Sequence, residues 1–105
     1  YEPSGQIGSR YGEKALFSAM RIVSMAADGS RNNTLFSEVA SLVELVNAGA
    51  LAREEVERAM TAAAITSGLT LEEASRTVAS AFAKVTKARV IPPPRPRYVA
   101  RMDAV

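Results

Sequence analysis

The chain has 105 residues, 48% of them hydrophobic and 23% charged, and carries a net charge of +2. That is the balance of one soluble globular domain, not of a disordered chain. Cysteine and histidine are both absent. Their absence excludes disulfides, a Cys/His zinc site and an iron–sulfur centre, and it removes the commonest general base. No stretch approaches the ~18 apolar residues that a membrane-spanning helix needs. No secretory pattern opens the chain either, so the expected compartment is the reducing cytoplasm.

Proline occurs only at positions 3, 92, 93, 94 and 96, and the long interval between is rich in alanine. Such a stretch is helix-prone, and Gly29, Gly49 and Gly68 stand where helices should stop. The fold predicted is all-α, a compact bundle of four main helices over residues 11–91. Residues 1–10, with Pro3, Gly5 and Gly8, read as an entry linker. Residues 92–105 read as an extended Pro/Arg-rich tail, because Pro92-Pro93-Pro94-Arg95-Pro96 cannot continue a helix. Both ends have the character of cuts within a longer protein.

The first helix is predicted over residues 11–27, with Ser9 a candidate N-cap. Leu16, Ala19, Met20 and Val23 form its buried stripe, and Ile22 and Ala26 suggest burial on a second face. The second spans residues 31–48, started by Ser30 and stopped by Gly49, with Leu35, Val39, Leu42, Val43 and Val46 facing inward and Phe36 broadening the stripe. The third spans residues 53–67, with Glu54, Glu55 and Glu57 near its positive end and Val56, Ala59, Met60 and Ala63 inward. The fourth opens on Thr70-Leu71-Glu72-Glu73, a capping box, and runs to about Lys87. Leu71, Ala74, Val78, Ala81, Phe82 and Val85 mark its core face.

Charge is unevenly placed. Residues 38–73 net −5, whereas residues 74–105 net +6. A cationic block of that kind attracts phosphate through long-range, salt-sensitive electrostatics, although a solubilising tail has the same composition. Lys84, Lys87 and Arg89, with Arg76 earlier on the same predicted helix, make a candidate phosphate track. Helix-dipole compensation alone would also place cations there. The carboxylate pairs Glu54-Glu55 and Glu72-Glu73 sit in first turns, where capping explains them, and no phosphate loop or dinucleotide fingerprint is present.

One segment departs from ordinary capping. Gly29-Ser30-Arg31-Asn32-Asn33-Thr34-Leu35 puts an arginine and two asparagines at a helix start. The dipole disfavours a cation there unless an anion is bound at the exposed N–H groups. The ordinary alternative is that Ser30 or an asparagine caps the helix while Arg31 pairs with an acid such as Asp28.

These residues also form a wider pattern. Tyr11 and Ala15-Leu16 precede Gly29-Ser30-Arg31-Asn32-Asn33-Thr34-Leu35, which is followed by Leu42, Leu45-Val46 and Ala48-Gly49. Ala62-Ala63-Ala64, Gly68-Leu69, Glu73, Arg76-Thr77-Val78 and Ser80 complete it. Over roughly residues 11–91 the pattern resembles the helical region C-terminal to the catalytic core in primase–polymerases of phages, plasmids and actinobacterial elements. The chain departs from that family at Ala81, where a glycine is frequent.

The resemblance implies a non-catalytic accessory domain of a replicative primase–polymerase. It would hold single-stranded DNA template through Arg31, Asn32, Asn33, Arg76, Lys84, Lys87 and Arg89, supporting primer synthesis. It implies no metal and no cofactor of the bundle's own, with ATP or another initiating nucleotide held through the parent protein's initiation site. The catalytic primase core, and in some arrangements a helicase, would be partners in the same chain, in a bacterial host's cytoplasm where the protein is phage-encoded. The rival expectation is a protein–protein docking module that links primase core to helicase. Tyr11 and Tyr98 are the only stacking side chains expected outside the core, so backbone-directed binding is expected over sequence reading.

Overall fold

The computed structural model describes residues 10–91. The entry linker up to Ser9, the candidate cap Ser9 itself, Tyr98 and the Pro/Arg-rich tail lie outside the described residues. Four helices follow one another: α1 (Arg10–Ser24), α2 (Arg31–Asn47), α3 (Arg53–Ser67) and α4 (Leu71–Lys84). There is no strand among the described residues. The domain is the all-α bundle that the alanine-rich, proline-free interval predicts.

The turns between helices use glycine where the backbone requires it. Gly68 ends α3 at a φ of +122°, and its N–H and that of Leu69 close on the Ala64 and Ile65 carbonyls. A left-handed residue of this kind satisfies the last carbonyls of a helix, and only glycine adopts it without a steric cost. Two residues on, Thr70 caps α4. Its hydroxyl accepts from the Glu73 N–H at 3.1 Å, and the Glu73 carboxylate accepts from the Thr70 N–H at 2.9 Å, completing the predicted capping box.

The core is aliphatic and small. Leu16, Ala19 and Val23 of α1 meet Leu35, Val39, Leu42, Val43 and Leu45 of α2, Val56, Met60, Ala63 and Ala64 of α3, and Ala74, Val78 and Ala81 of α4. Ala50 and Leu51, between α2 and α3, are also buried. Each helix packs most broadly on the one two places away, α1 on α3 and α2 on α4, while α1 and α4 do not meet. The small side chains at 19, 63, 64, 74 and 81 allow the helices to approach closely.

Several expectations are corrected. α1 ends at Ser24, short of residue 27, with a tightened last bond from the Ala26 N–H to the Val23 carbonyl. Its inward stripe is finished at Val23, and another turn would bury nothing. No second face of α1 is buried: Ile22 is 48% exposed, and Ala26, half-buried, lies beyond the helix end. Met20, Val46 and Ala59 lie at the edge of the core, and Leu45 and Ala64 are fully buried instead. Leu71, expected on the core face of α4, is 62% exposed. It shares the face of Ala74 and Val78 but, as the first residue of α4, stands at the end of the buried stripe. Ser30 stands at the cap position of α2 without capping it, since its hydroxyl donates to the Ala27 carbonyl.

The largest correction is at the end of α4, which stops at Lys84 and not near Lys87. Val85 is extended, and residues 85–91 return along α2 as a strap. The Arg89 N–H donates to the Glu44 carbonyl at 3.1 Å, and the Asn47 side chain donates to the Lys87 carbonyl at 2.9 Å. Val85 and Ile91 pack against the core. A further helical turn would forgo all of these contacts, so tertiary packing overrides the helix preference of the local sequence.

Candidate nucleic-acid interface

The Gly29–Asn33 run builds one corner of the bundle. α2 starts at Arg31, and no side chain caps it, so the first-turn N–H groups receive no side-chain acceptor. Arg31 folds back over the α3–α4 turn until its guanidinium lies against Gly68. A Cβ at position 68 would stand 2.9 Å from Arg31 Cζ and 3.1 Å from Nη1, so the glycine makes the space that the arginine occupies. Arg31 Nη1 contacts Asp28 Oδ1 at 3.2 Å, the pairing expected as the ordinary alternative. The Asp28 side chain is 92% exposed, and a water-facing pair of this kind contributes little. Arg31 Nε is buried without a hydrogen-bond partner.

Beside Arg31, Asn32 accepts a 2.7 Å hydrogen bond from the Thr77 hydroxyl, tying the start of α2 to the middle of α4. Asn33 is exposed. Arg31, Asn32, Gly68, Leu69, Asp28 and Glu73 line a shallow hollow of about 330 Å³. Glu73 brings its charge to the rim, but its carboxylate serves the cap of α4. The Thr70 backbone N–H, then the Thr70 side chain and the nearby positive charge of Arg76, hold its pKa below the usual carboxylate value. Arg76 is exposed one turn further on. The corner thus assembles Arg31, Asn32 and Asn33 as one group, with Arg76 nearby.

Lys84, Lys87 and Arg89 do not share a helix face. Lys84, the last residue of α4, lies over the Phe36 ring with its Nζ 5.8 Å from the centroid. Lys87 and Arg89 are in the strap, and both face the Glu44 carboxylate, at 3.9 and 3.5 Å. Arg89 further donates to the carbonyl and the hydroxyl of Ser41. Its Nε and Nη2 donors are engaged with α2. The continuous helical track expected here is replaced by a cationic clasp closed on an acid. Arg53, on the neighbouring helix, stacks on Phe82 at 4.5 Å and pairs with Glu57 at 2.8 Å.

Among the described residues, Arg58 on α3, Arg76 on α4 and Arg10, Lys14 and Arg21 on α1 make no ion pair and lie over no ring. Arg10, Lys14, Phe17 and Arg21 form one stripe on the outer face of α1, and Phe17 is 67% exposed. Their spacing of four, three and four residues, opposite Leu16, Ala19 and Val23, was the signal available for them.

Among the described residues no three acidic, histidine or cysteine side chains gather as a metal site. No helix of this region is long and apolar enough to cross a membrane. Neither a protein-family model, nor a curated protein, nor a solved structure matches this chain.

Proposed function

We propose that this bundle is a non-catalytic accessory domain of a replicative primase–polymerase, and that it holds single-stranded DNA template near a catalytic core. The observation that carries the reading is the uncapped start of α2, with the half-buried Arg31 laid beside it and Asn32 and Asn33 following. A cation at the start of α2 is well placed for a bound phosphate, and in the fold itself the same guanidinium lies at the C-terminal end of α3 and pairs with Asp28. The same residues form the most specific part of the resemblance to primase–polymerase helical regions. A template phosphate, or the phosphate of an initiating nucleotide such as ATP, is the ligand that this corner suits. Arg76 and Lys84 would add general attraction, whereas Lys87 and Arg89 serve the fold first.

Binding of a labelled single-stranded oligonucleotide to the whole chain, with and without ATP, tests the reading. Arg31→Ala is expected to weaken binding and leave helicity intact. Loss of the fold with Arg31→Ala, or no binding by the unaltered chain at low salt, would sink it.

The docking-module reading has its own support. Ile65 and Leu71, on either side of the α3–α4 turn, are both exposed. A partner helix that protects these two residues from solvent would favour it.

A further inference from the structure

We infer that the outer face of α1 is a stacking platform for single-stranded nucleic acid, with Phe17 receiving an unstacked base and Arg10, Lys14 and Arg21 holding the flanking phosphates. The inference rests on the template-binding reading above but uses a different face and a different observation. Arg10, Lys14, Phe17, Ser18 and Arg21 line an open trough of about 510 Å³, with Glu13 as its single acid. From Arg10 to Arg21 is eleven residues, about 16 Å along a helix at 1.5 Å per residue. That is the length of a short run of nucleotides.

Three features of this face are unexplained by folding. First, Phe17 lies opposite the buried stripe of Leu16, Ala19 and Val23, so its ring contributes nothing to the core. Second, none of Arg10, Lys14 and Arg21 makes an ion pair among the described residues, whereas Arg31, Arg53, Lys87 and Arg89 all do. Third, two cations, Arg10 and Lys14, stand at the start of α1 against one acid, Glu13. The N-terminal end of a helix repels cations unless an anion is present.

Charge and ring together select the ligand. Three cations against one carboxylate disfavour a basic or neutral peptide partner, and the cations flank the aromatic ring on both sides along the helix. Successive phosphates and a free base face match that order. A duplex keeps its base faces stacked on one another and offers the ring nothing. The platform therefore prefers single strands to duplex and tolerates any base, since every base has a π face. DNA and RNA share this chemistry.

The test is fluorescence anisotropy of the whole chain with short labelled oligo-dT, its oligo-U counterpart and a duplex of the same length. Phe17→Ala and Phe17→Leu should each weaken single-strand binding about tenfold, and Phe17→Trp should retain it. Lys14→Ala and Arg21→Ala should each lower the log–log salt slope by about 0.7. Because all these side chains are exposed, circular dichroism should be unchanged. Phe17→Leu binding as tightly as the unaltered chain would show a merely apolar contact and overturn the stacking role. Equal affinity for duplex would overturn it as well. If the Phe17 variants bind normally and Arg31→Ala does not, the strand follows the α2 corner: this inference fails and the template-binding reading stands. If no oligonucleotide binds the unaltered chain, both fail.

Discussion

Two cationic segments of this protein have opposite fates. The strap after α4 carries Lys87 and Arg89, and there the charges close on Glu44 and Ser41 of α2. The outer face of α1 carries Arg10, Lys14 and Arg21, and there no acid closes on them among the described residues. Among the described residues, the two cations of the strap close on α2, while the three on α1 pair with no acid. A local excess of lysine and arginine measures what a segment could contribute to binding. What remains for binding is decided by the acids that the fold brings opposite.

This contrast can be broken most sharply at Arg89. If its guanidinium is structural, Arg89→Ala should cost about 2 kcal/mol, in the range for hydrogen bonds to charged groups. The urea midpoint would fall, with little change in oligonucleotide affinity for the protein that remains folded. A loss of affinity without loss of stability would instead make the strap a binding element and erase the difference between the two segments.

The α2 corner gives the next largest effect. Gly68→Ala forces an L side chain to a φ of +122° and pushes its Cβ onto Arg31. About 1–2 kcal/mol of stability should be lost. Because Arg31 must move, oligonucleotide binding should weaken in parallel. Retained binding in a destabilised variant would separate Arg31 from the site.

Thr70→Ala should cost about 1 kcal/mol, the usual worth of an N-cap side chain. The Glu73 half of the box should depend on pH. The Glu73 carboxyl titrates lower in the folded protein than in the unfolded chain. Its contribution is therefore complete above the unfolded-state pKa and disappears as the pH falls through the folded value. Alanine at 70 keeps the backbone N–H that Glu73 accepts from, so Glu73→Gln is the probe, and the gap in urea midpoint between the parent and Glu73→Gln should narrow in acid. A gap that stays constant would mean that the Glu73 half of the box adds nothing.

The smallest effect is expected on α1. Lys14→Ala and Arg21→Ala should change stability by less than about 0.5 kcal/mol, and Arg10→Ala should be neutral or slightly stabilising. Thermal melts would check this. A marked destabilisation there would give the α1 cations a structural task and remove the contrast with the strap.

Much of the fold was legible locally. The glycine stops after α2 and α3 and the Thr-x-x-Glu box are signals contained within a few residues, and the observed helices follow them closely. By contrast, α1 ends at Ser24, well before Gly29. The corner around Arg31 was partly legible, since the Asp28 pairing lies three residues away in the chain. Its contact with Gly68 and the Asn32–Thr77 bond were not, because each joins residues that only packing brings together. The stripe on α1 was legible in full, since the inward stripe of Leu16, Ala19 and Val23 already puts Phe17 on the outer side. Only the expectation of Tyr11 and Tyr98 as the sole stacking side chains passed over it.

By itself, then, the sequence determined the helix count, most helix boundaries, the capping of α4 and the aliphatic stripes, because hydrogen bonding and periodicity act over a few residues. Only the tertiary structure decided where α4 ends and which cations stay free. Glu44 and Arg89 are 45 residues apart, and no local rule pairs them. That pairing, with Val85 and Ile91 packed on the core, outweighs one more turn of helix, while among the described residues the cations of α1 pair with no acid.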